Sequence, residues 1–571
     1  MESATSPRVT SPRAAVDEEE LEYAQSPTQY KRYSSTTSFA TESTTGSDRP
    51  SGGATLTQIQ EDGKPRKKPK MGAQERRNKA TCCKCIRSWW QRVLFLVVVG
   101  GAIVAGTVFF ILKLVKHDVT APPNAEALAA GAGRIHDGSN PAADIKTSVS
   151  TNPARYPSMG CKLPQYTSTN GKIYATGPSG TSVAVAIKGV SWLGMETVNA
   201  VPYGLWLNAL NGTTVYQLAA FLSRNNFNSV RLPLSIENIL SDRKPNPSLV
   251  NAFANQALAL ESYSKFLASL IQALGYWKIS VLLDLHMLTP SDAGGSWVGA
   301  TISETSYLAA VDMLTSKLCS DAYWNVLGID LKDKPYLATW GDGGPNDWAI
   351  GAPKIANRML KGCPNWLAFV QGTTSSHTLR TDDNVVFSYV DWFGGGLQNE
   401  SMYPLTFNVA DKLVYAPHYY PPSVYPQAYF VKGGLRDHDL WVGFLEYNDT
   451  MLQRRIQATT NDMFGFLAQY KKGAIVLGEF GGLYTQDKFA NLTEQRAIQM
   501  TMDVAGQPGF AGGYVWTLNP ETSYTFNPSN YVGYWTEGVV NADWISANLP
   551  YLTALKSMDS IPGVQPFPCL T

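Results

Sequence analysis

Histidine is scarce in this chain. Six are scattered among 571 residues, so neither a histidine-built metal centre nor any cofactor is expected. Charge of one sign is lacking as well. Forty-seven basic residues offset 46 acidic ones for a net charge of +1, which gives no electrostatic reason to expect nucleic acid as a partner. Uncharged apolar runs of membrane length are absent except for one, Val93 to Leu112. What is plentiful is glycine (48), proline (34), tyrosine (28) and tryptophan (15), within a composition 44% hydrophobic. That supply suits a sizeable core with many loops and aromatic binding surfaces.

The seven cysteines fall in two groups. Cys82, Cys83 and Cys85 crowd before the apolar run, whereas Cys161, Cys319, Cys363 and Cys569 follow it and lack metal-ligand spacing. An even four beyond a membrane span reads as two disulfides in an oxidising compartment. The pairing stays open on sequence alone. Cys319 with Cys363 and Cys161 with Cys569 is the preferred arrangement.

Val93 to Leu112 carries no charge over 20 residues, and at 1.5 Å rise per residue it covers about 30 Å, the hydrocarbon thickness of a bilayer. A cleaved signal has a shorter apolar region, of about 7–15 residues. Basic residues crowd its N-terminal flank, from Lys64 to Arg92, while the other flank offers only Lys113 and Lys116 before Arg134. Positive charge stays in the cytoplasm, so the expectation is a single-pass plasma-membrane protein with its N-terminus inside and its large domain outside. Trp89 and Trp90 fit an interfacial anchor. The glycosylation acceptor patterns at Asn211, Asn399, Asn448 and Asn491 all lie beyond the span, in agreement with that topology. Residues 1–92 read as a disordered cytoplasmic tail with a basic juxtamembrane segment in contact with membrane lipid. Residues 113–160 read as a stem, and 161–571 as the folded domain.

From Ala186 onward one local pattern repeats. A short apolar, β-branched run ends in polar or aromatic residues, and a longer helical or loop segment follows. The runs are Ala186–Trp192, Asn228–Ser235, Ile279–Leu288, Asn325–Pro335, Trp366–Gly372, Lys412–Tyr420, Ala474–Gly482 and Gly512–Asn519. Their starts lie about 40 to 60 residues apart, room for a helix plus loops in every interval. Runs so apolar suit strands covered on both faces, as parallel sheets require. Eight of them alternating with helical segments predict an α/β fold, a closed (β/α)₈ barrel. Arg231, His286, Asp333, Lys334, His418, Tyr420, Glu479 and Trp516 all fall at or near the C-terminal ends of the runs. Those ends converge on the face where barrel active sites lie.

At these residues the chain resembles glycoside hydrolase family 5, most closely its endo-β-1,4-glucanases. The similarity covers most of Lys188 to Trp544. It is carried by GVSWLGMET (189–197), YGLW (203–206), NSVRLPLS (228–235), LLDLH (282–286) and GIDLKDKP (328–335), then by ATWG (338–341), PNWLAFVQG (364–372), LVYAPHYYPPSVYP (413–426), VLGEFGG (476–482) and WTLNPE (516–521). The resemblance implies a retaining mechanism on a β-linked glucan. One carboxylate attacks the anomeric carbon, and a second protonates the departing oxygen and then activates water. It implies Glu479 as the nucleophile, oriented by His418 and Tyr420 and hydrogen-bonded by Arg231. His286 shapes the sugar site and Trp516 forms the platform beneath the ring.

Two departures stand out. Tyr203 occupies a position where the family usually has His. More seriously, the family's Asn-Glu-Pro after the fourth strand reads Asp333-Lys334-Pro335 here. The substrate-binding Asn and the acid/base Glu are both replaced. Positioned acid/base catalysis contributes about 10²–10⁴-fold, and a lysine with an ordinary pKa of about 10.4 is a poor acid for the first step and a poor base for the second. An ion pair with Glu479 would also blunt the nucleophile. Asp333 is the nearest substitute carboxylate, but one residue out of register along a strand it is expected to point elsewhere. Three functions follow as alternatives: a working or weakened retaining β-glucanase, an inactive glucan-binding surface protein, or a cell-wall transglycosylase. β-1,3-Glucan and mannan share the same site plan.

Overall fold

The computed structural model describes residues 131–140, 151–437, 440–520 and 536–571. Val93–Leu112 and the N-terminal tail lie outside the described residues. Among those described, no helix is long and apolar enough to cross a membrane.

All eight runs are strands: β1 Ile187–Ser191, β2 Ser229–Ser235, β3 Ser280–Met287, β4 Val326–Asp330, β5 Leu367–Val370, β6 Leu413–Tyr415, β7 Ala474–Phe480 and β8 Phe510–Val515. They close into a barrel in which each strand pairs in parallel with its neighbours in the chain and β8 pairs with β1. Seven of the eight are buried at every position, because helices cover the outside and side chains fill the interior. The ladders are tight enough to demand glycine. A Cβ on Gly328 would lie 2.0 Å from the Leu367 carbonyl, and one on Gly512, at φ +89°, would lie 1.9 Å from that of Ile187.

Helices follow the strands as α1 Val215–Arg224, α2 Tyr263–Tyr276, α3 Glu304–Leu318, α4 Trp348–Gly362, α5 Asp449–Met463, α6 Thr493–Ala505 and α7 Leu549–Ala554. Thr214, Ser262, Ser303, Asp347 and Asn448 open α1 to α5 by accepting first-turn N–H groups, the signature such residues carry in sequence. The interval between β5 and β6 departs from the expected plan. It holds a hairpin, Ser376–Arg380 with Val386–Val390, and a short 3₁₀ turn, but no α-helix.

A three-stranded antiparallel sheet, Gln165–Thr169, Lys172–Thr176 and Ser182–Val185, lies under the N-terminal end of the barrel. Asn170 and Gly171 both take positive φ at its first turn, the geometry a two-residue hairpin needs. Tyr166, Ile173 and Val185 pack with Leu282, Leu327, Phe369 and Val476 to close that end. The disulfides take the preferred pairing. Cys161–Cys569 joins the ends of the domain, and Cys319–Cys363 joins the C-terminal ends of α3 and α4. Each closes a loop that the unfolded chain would otherwise leave open. Asn399, Asn448 and Asn491 are exposed, whereas Asn211 is half-buried with its side-chain carbonyl accepting from Trp206 and Asn208.

Candidate active site

The strand ends bring Arg231, His286, Asp333, Lys334, His418, Tyr420, Glu479 and Trp516 into one cluster. Glu479, on β7, is fully buried. Its Oε1 accepts from Arg231 Nη1 at 2.7 Å, and its Oε2 accepts from the Tyr420 hydroxyl at 2.6 Å and from Lys334 Nζ at 2.6 Å. Burial works to raise its pKa, but His418, Lys334 and Arg231 outweigh burial and hold the carboxyl below its usual range. His418 stands beside the carboxylate. Its Nδ1 lies 3.2 Å from Glu479 Oε2, but neither ring nitrogen makes a hydrogen bond. Burial pushes its pKa down to about 3, so the ring is neutral near pH 7. Tyr420 and Arg231 therefore hold the carboxylate's direction.

Asp333 corrects an expectation. It points into the site, with Oδ1 accepting from Arg231 Nη2 at 2.9 Å and Oδ2 lying 3.2 Å from Lys334 Nζ and 3.4 Å from His286 Nε2. The reason is local backbone. β4 ends at Asp330, and Lys334 takes φ +45°, so strand alternation no longer governs where residues 333 and 334 point. Both side chains can then face the same cleft. Burial opposes the ionised form of Asp333, yet His286, Lys334 and Arg231 keep it well below the usual carboxylate range.

Trp516 differs from a bare platform. It is fully buried, its ring stacks on His286 at 5.6 Å, and Lys334 Nζ lies 5.1 Å from its centroid. Lys334 thus contacts the expected nucleophile, the expected platform and Asp333 together.

Sequence reasoning missed Asp284, Asp330, Lys332 and Gln371. Asp284 holds His286 Nδ1 at 2.7 Å. Arg231 donates to Asp330 through Nε at 3.1 Å and Nη2 at 2.9 Å. Lys332 Nζ donates to the carbonyls of His286 and Asp333. Gln371 donates to Asp330 at 2.8 Å and accepts from the Lys334 N–H at 2.8 Å, fixing the turn that carries the lysine. A signal was available. Asp284 and Asp330 are charges inside otherwise apolar strands, and Asp284 stands two residues before His286, on the same strand face.

Four buried carboxylates, Asp284, Asp330, Asp333 and Glu479, thus face Arg231, Lys332, Lys334 and His286. Burial raises Asp330 to about 7, with Asp284 and Asp333 adding to burial against Arg231. Asp284, His286 and Asp333, and likewise Asp333, His418 and Glu479, stand close enough to hold a cation. Both triads include Asp333, whose oxygens Arg231 and Lys334 already engage, so the residues do not fit a metal. Arg231 is the hub of the cluster. Arg231→Leu should cost at least about 3–5 kcal/mol by orphaning buried charge, measured by urea unfolding. A loss under about 1 kcal/mol would contradict this account.

The cellulase model, glycosyl hydrolase family 5, matches residues 183–522. The major extracellular endoglucanase of Xanthomonas campestris pv. campestris is 29% identical over 378 residues, 66% of this chain and 68% of that protein. An endoglucanase of Paenibacillus polymyxa is 26% identical over 372 residues, 64% of this chain and 80% of its own. Among solved structures, an endocellulase from Pyrococcus horikoshii in complex with cellotetraose matches with TM-score 0.57 and 26% identity, covering 70% of this chain and 99% of that one. The family model spans more than half of the chain and includes every strand of the barrel that gathers these residues, so the protein belongs to the cellulase family, glycosyl hydrolase family 5.

Proposed function

We propose that this protein acts on β-linked glucan at the C-terminal face of its barrel, as a retaining glycosidase whose turnover Lys334 restrains. The observation that carries this reading is the 2.6 Å ion pair between Lys334 and Glu479. In a working retaining site, two carboxyl groups about 5 Å apart divide the labour. Here Glu479 has the surroundings of a nucleophile, with Arg231 and Tyr420 on its oxygens, while the position that should supply the proton supplies a cation instead. Glycosyl transfer to Glu479 then proceeds when the leaving group needs no proton, and unactivated glucan is bound more readily than it is cut. The endoglucanases among the relatives, and the cellotetraose held by one structural neighbour, support β-1,4-glucan as the ligand class.

The same ion pair favours a second reading, a glucan-binding surface protein with no turnover. Two disulfides in the barrel support an oxidising compartment. With the charge asymmetry around Val93–Leu112, they favour a plasma-membrane protein displaying its barrel outside the cell.

The test mixes wild-type protein with cellohexaose and follows calorimetric binding and reducing-end release side by side. Binding with slow or no release is expected. Release at the rate of an intact two-carboxylate site, abolished in Glu479→Ala, would overturn the restraint. Failure to bind any β-glucan would overturn the glucan reading itself.

A further inference from the structure

Attachment of a sugar to Glu479 changes the charge of the cluster. As an ester its carboxyl is neutral, so Arg231 loses an anion at 2.7 Å and Lys334 loses one at 2.6 Å. Asp284, Asp330 and Asp333 then remain to balance Arg231, Lys332, Lys334 and His286. The oxygen of Asp333 that lies 3.2 Å from Lys334 also lies 3.4 Å from His286 Nε2, so it is shared between two bases. The surplus positive charge falls where the cleft is open. The Lys334 side chain is 12% exposed, whereas that of Arg231 is fully buried and Lys332 is 1% exposed. The Lys334 ammonium also stands where a retaining site places the group that meets departing and incoming oxygens.

The same surroundings serve a neutral acceptor badly. Water or a sugar hydroxyl must give up a proton as it attacks, and Lys334 already holds its own. Asp333 Oδ1 accepts from Arg231 and Gln371, and His286, Lys334 and Arg231 keep that carboxyl well below the usual range. Asp330 is fully buried. Burial leaves the His418 ring with little affinity for a proton. An acceptor that arrives already deprotonated escapes the difficulty.

Resting on the reading above, in which Glu479 is the nucleophile, we infer that the acceptor drawn to the glycosyl-enzyme is an oxyanion, a carboxylate or a phosphate, in place of water or a sugar hydroxyl. The oxyanion attacks the anomeric carbon, the ester bond to Glu479 breaks, and its electron pair restores the carboxylate. The product is a β-glycosyl ester or a β-glycosyl phosphate, and no proton moves. Lys334 attracts the incoming charge and regains its ion pair with Glu479 as the acceptor's charge is consumed. The cation that blunts the free nucleophile thus guides the second half of the reaction.

The experiment preforms the glycosyl-enzyme on the full chain with a dinitrophenyl 2-deoxy-2-fluoro-β-cellobioside. Dinitrophenolate spreads its charge over the ring and nitro groups, so its departure draws little on Lys334. Excess reagent is removed, and loss of the label is followed by protein mass with sodium acetate, sodium phosphate, cellobiose or sodium chloride added. Ionic strength is matched throughout, because salt screens exposed charge. Acetate and phosphate are expected to speed discharge about tenfold or more over chloride, and cellobiose less than about twofold, because only the anions gain the Coulomb attraction. The released sugar should carry the mass of the acetyl ester or the phosphate. Acceleration by one of the two oxyanions alone also supports the proposal and names the class. Lys334→Gln, with its folding checked by thermal unfolding, should bring both anions to within about twofold of cellobiose. Discharge of the wild-type label by cellobiose or water as fast as by either oxyanion would overturn the proposal without any variant. A folded Lys334→Gln protein that kept the oxyanion preference would overturn it too. If no label forms on wild type or Lys334→Gln, the nucleophile reading falls and takes the acceptor class with it. If the label forms and oxyanions do not discharge it, only the acceptor class falls.

Discussion

Lys334→Glu combined with Asp333→Asn is expected to raise turnover of β-1,4-glucan by about 10²–10⁴-fold, the range a positioned acid/base supplies. Four observations argue for the pair of changes together. Lys334 Nζ lies 2.6 Å from Glu479 Oε2, so a glutamate at position 334, one bond shorter than lysine, would bring its carboxyl near Glu479, the proposed nucleophile. Both Lys334 and its replacement bear the same Cβ at φ +45°, so the exchange adds no backbone strain. The Lys334 N–H already bonds Gln371, so the turn stays in place.

The fourth is charge. Lys334→Glu alone would add a carboxylate to Asp284, Asp330, Asp333 and Glu479 while removing a cation. Asp333→Asn removes one of these anions, leaving the new Glu beside Glu479 with its pKa raised by a like charge. A carboxyl kept protonated near pH 7 is the acid the first step requires. Reducing-end release measured against wild type decides the matter. A flat response in a folded double variant would mean that the lysine is not the lesion.

Covalent labelling of Glu479 is the second large effect. A 2-deoxy-2-fluoro cellobioside with a dinitrophenolate leaving group should add one glycosyl mass to the wild-type protein, localised by peptide mapping to Glu479. The carboxylate oxygen attacks the anomeric carbon, the bond to the phenolic oxygen breaks, and dinitrophenolate leaves without needing a proton. This separates the two halves of the mechanism, because the acid is bypassed and only the nucleophile is interrogated. Arg231 and Tyr420 hold Glu479 ionised and aimed, which favours attack. Lys334 engages Oε2, which slows it. Labelling is therefore expected to be slow in wild type, faster in Lys334→Ala, and absent in Glu479→Ala. No adduct in wild type or Lys334→Ala after long incubation would remove Glu479 from the nucleophile's role.

These two results divide the functional alternatives. Slow labelling with little glucan release fits a restrained glycosidase. Binding without labelling fits a surface lectin built on the family's barrel. Labelled enzyme that discharges faster when a sugar acceptor is added would favour transglycosylation.

Much of this site was legible from residue order. His286, His418, Glu479 and Trp516 could be found because each stands at or near the end of an apolar, β-branched run, and parallel barrels gather such ends on one face, while Arg231 stands out as a charge inside its run. The replacement at Lys334 was legible for the same reason, since GIDLK and ATWG leave little room to slide the register. What misled was strand periodicity carried past the strand. Asp333 was expected to turn away because alternation was extended beyond Asp330, where the backbone has already left the sheet. The missing helix between β5 and β6 was hidden in the same way, because interval length permits a helix without requiring one.

Local order along the chain was enough to determine the eight strands, their parallel pairing and the face on which the charged residues collect, because hydrophobic period and strand length are properties of neighbouring residues. The resemblance anticipated that Lys334 would face Glu479, 145 positions away; folding alone decided that Arg231 would serve four carboxylates rather than one and that Trp516 would be covered. Those outcomes depend on distances between side chains from different strands and on the competition between burial and charge inside one shared cavity. A sequence lists the partners of that competition, but their separation exists only once the barrel has closed.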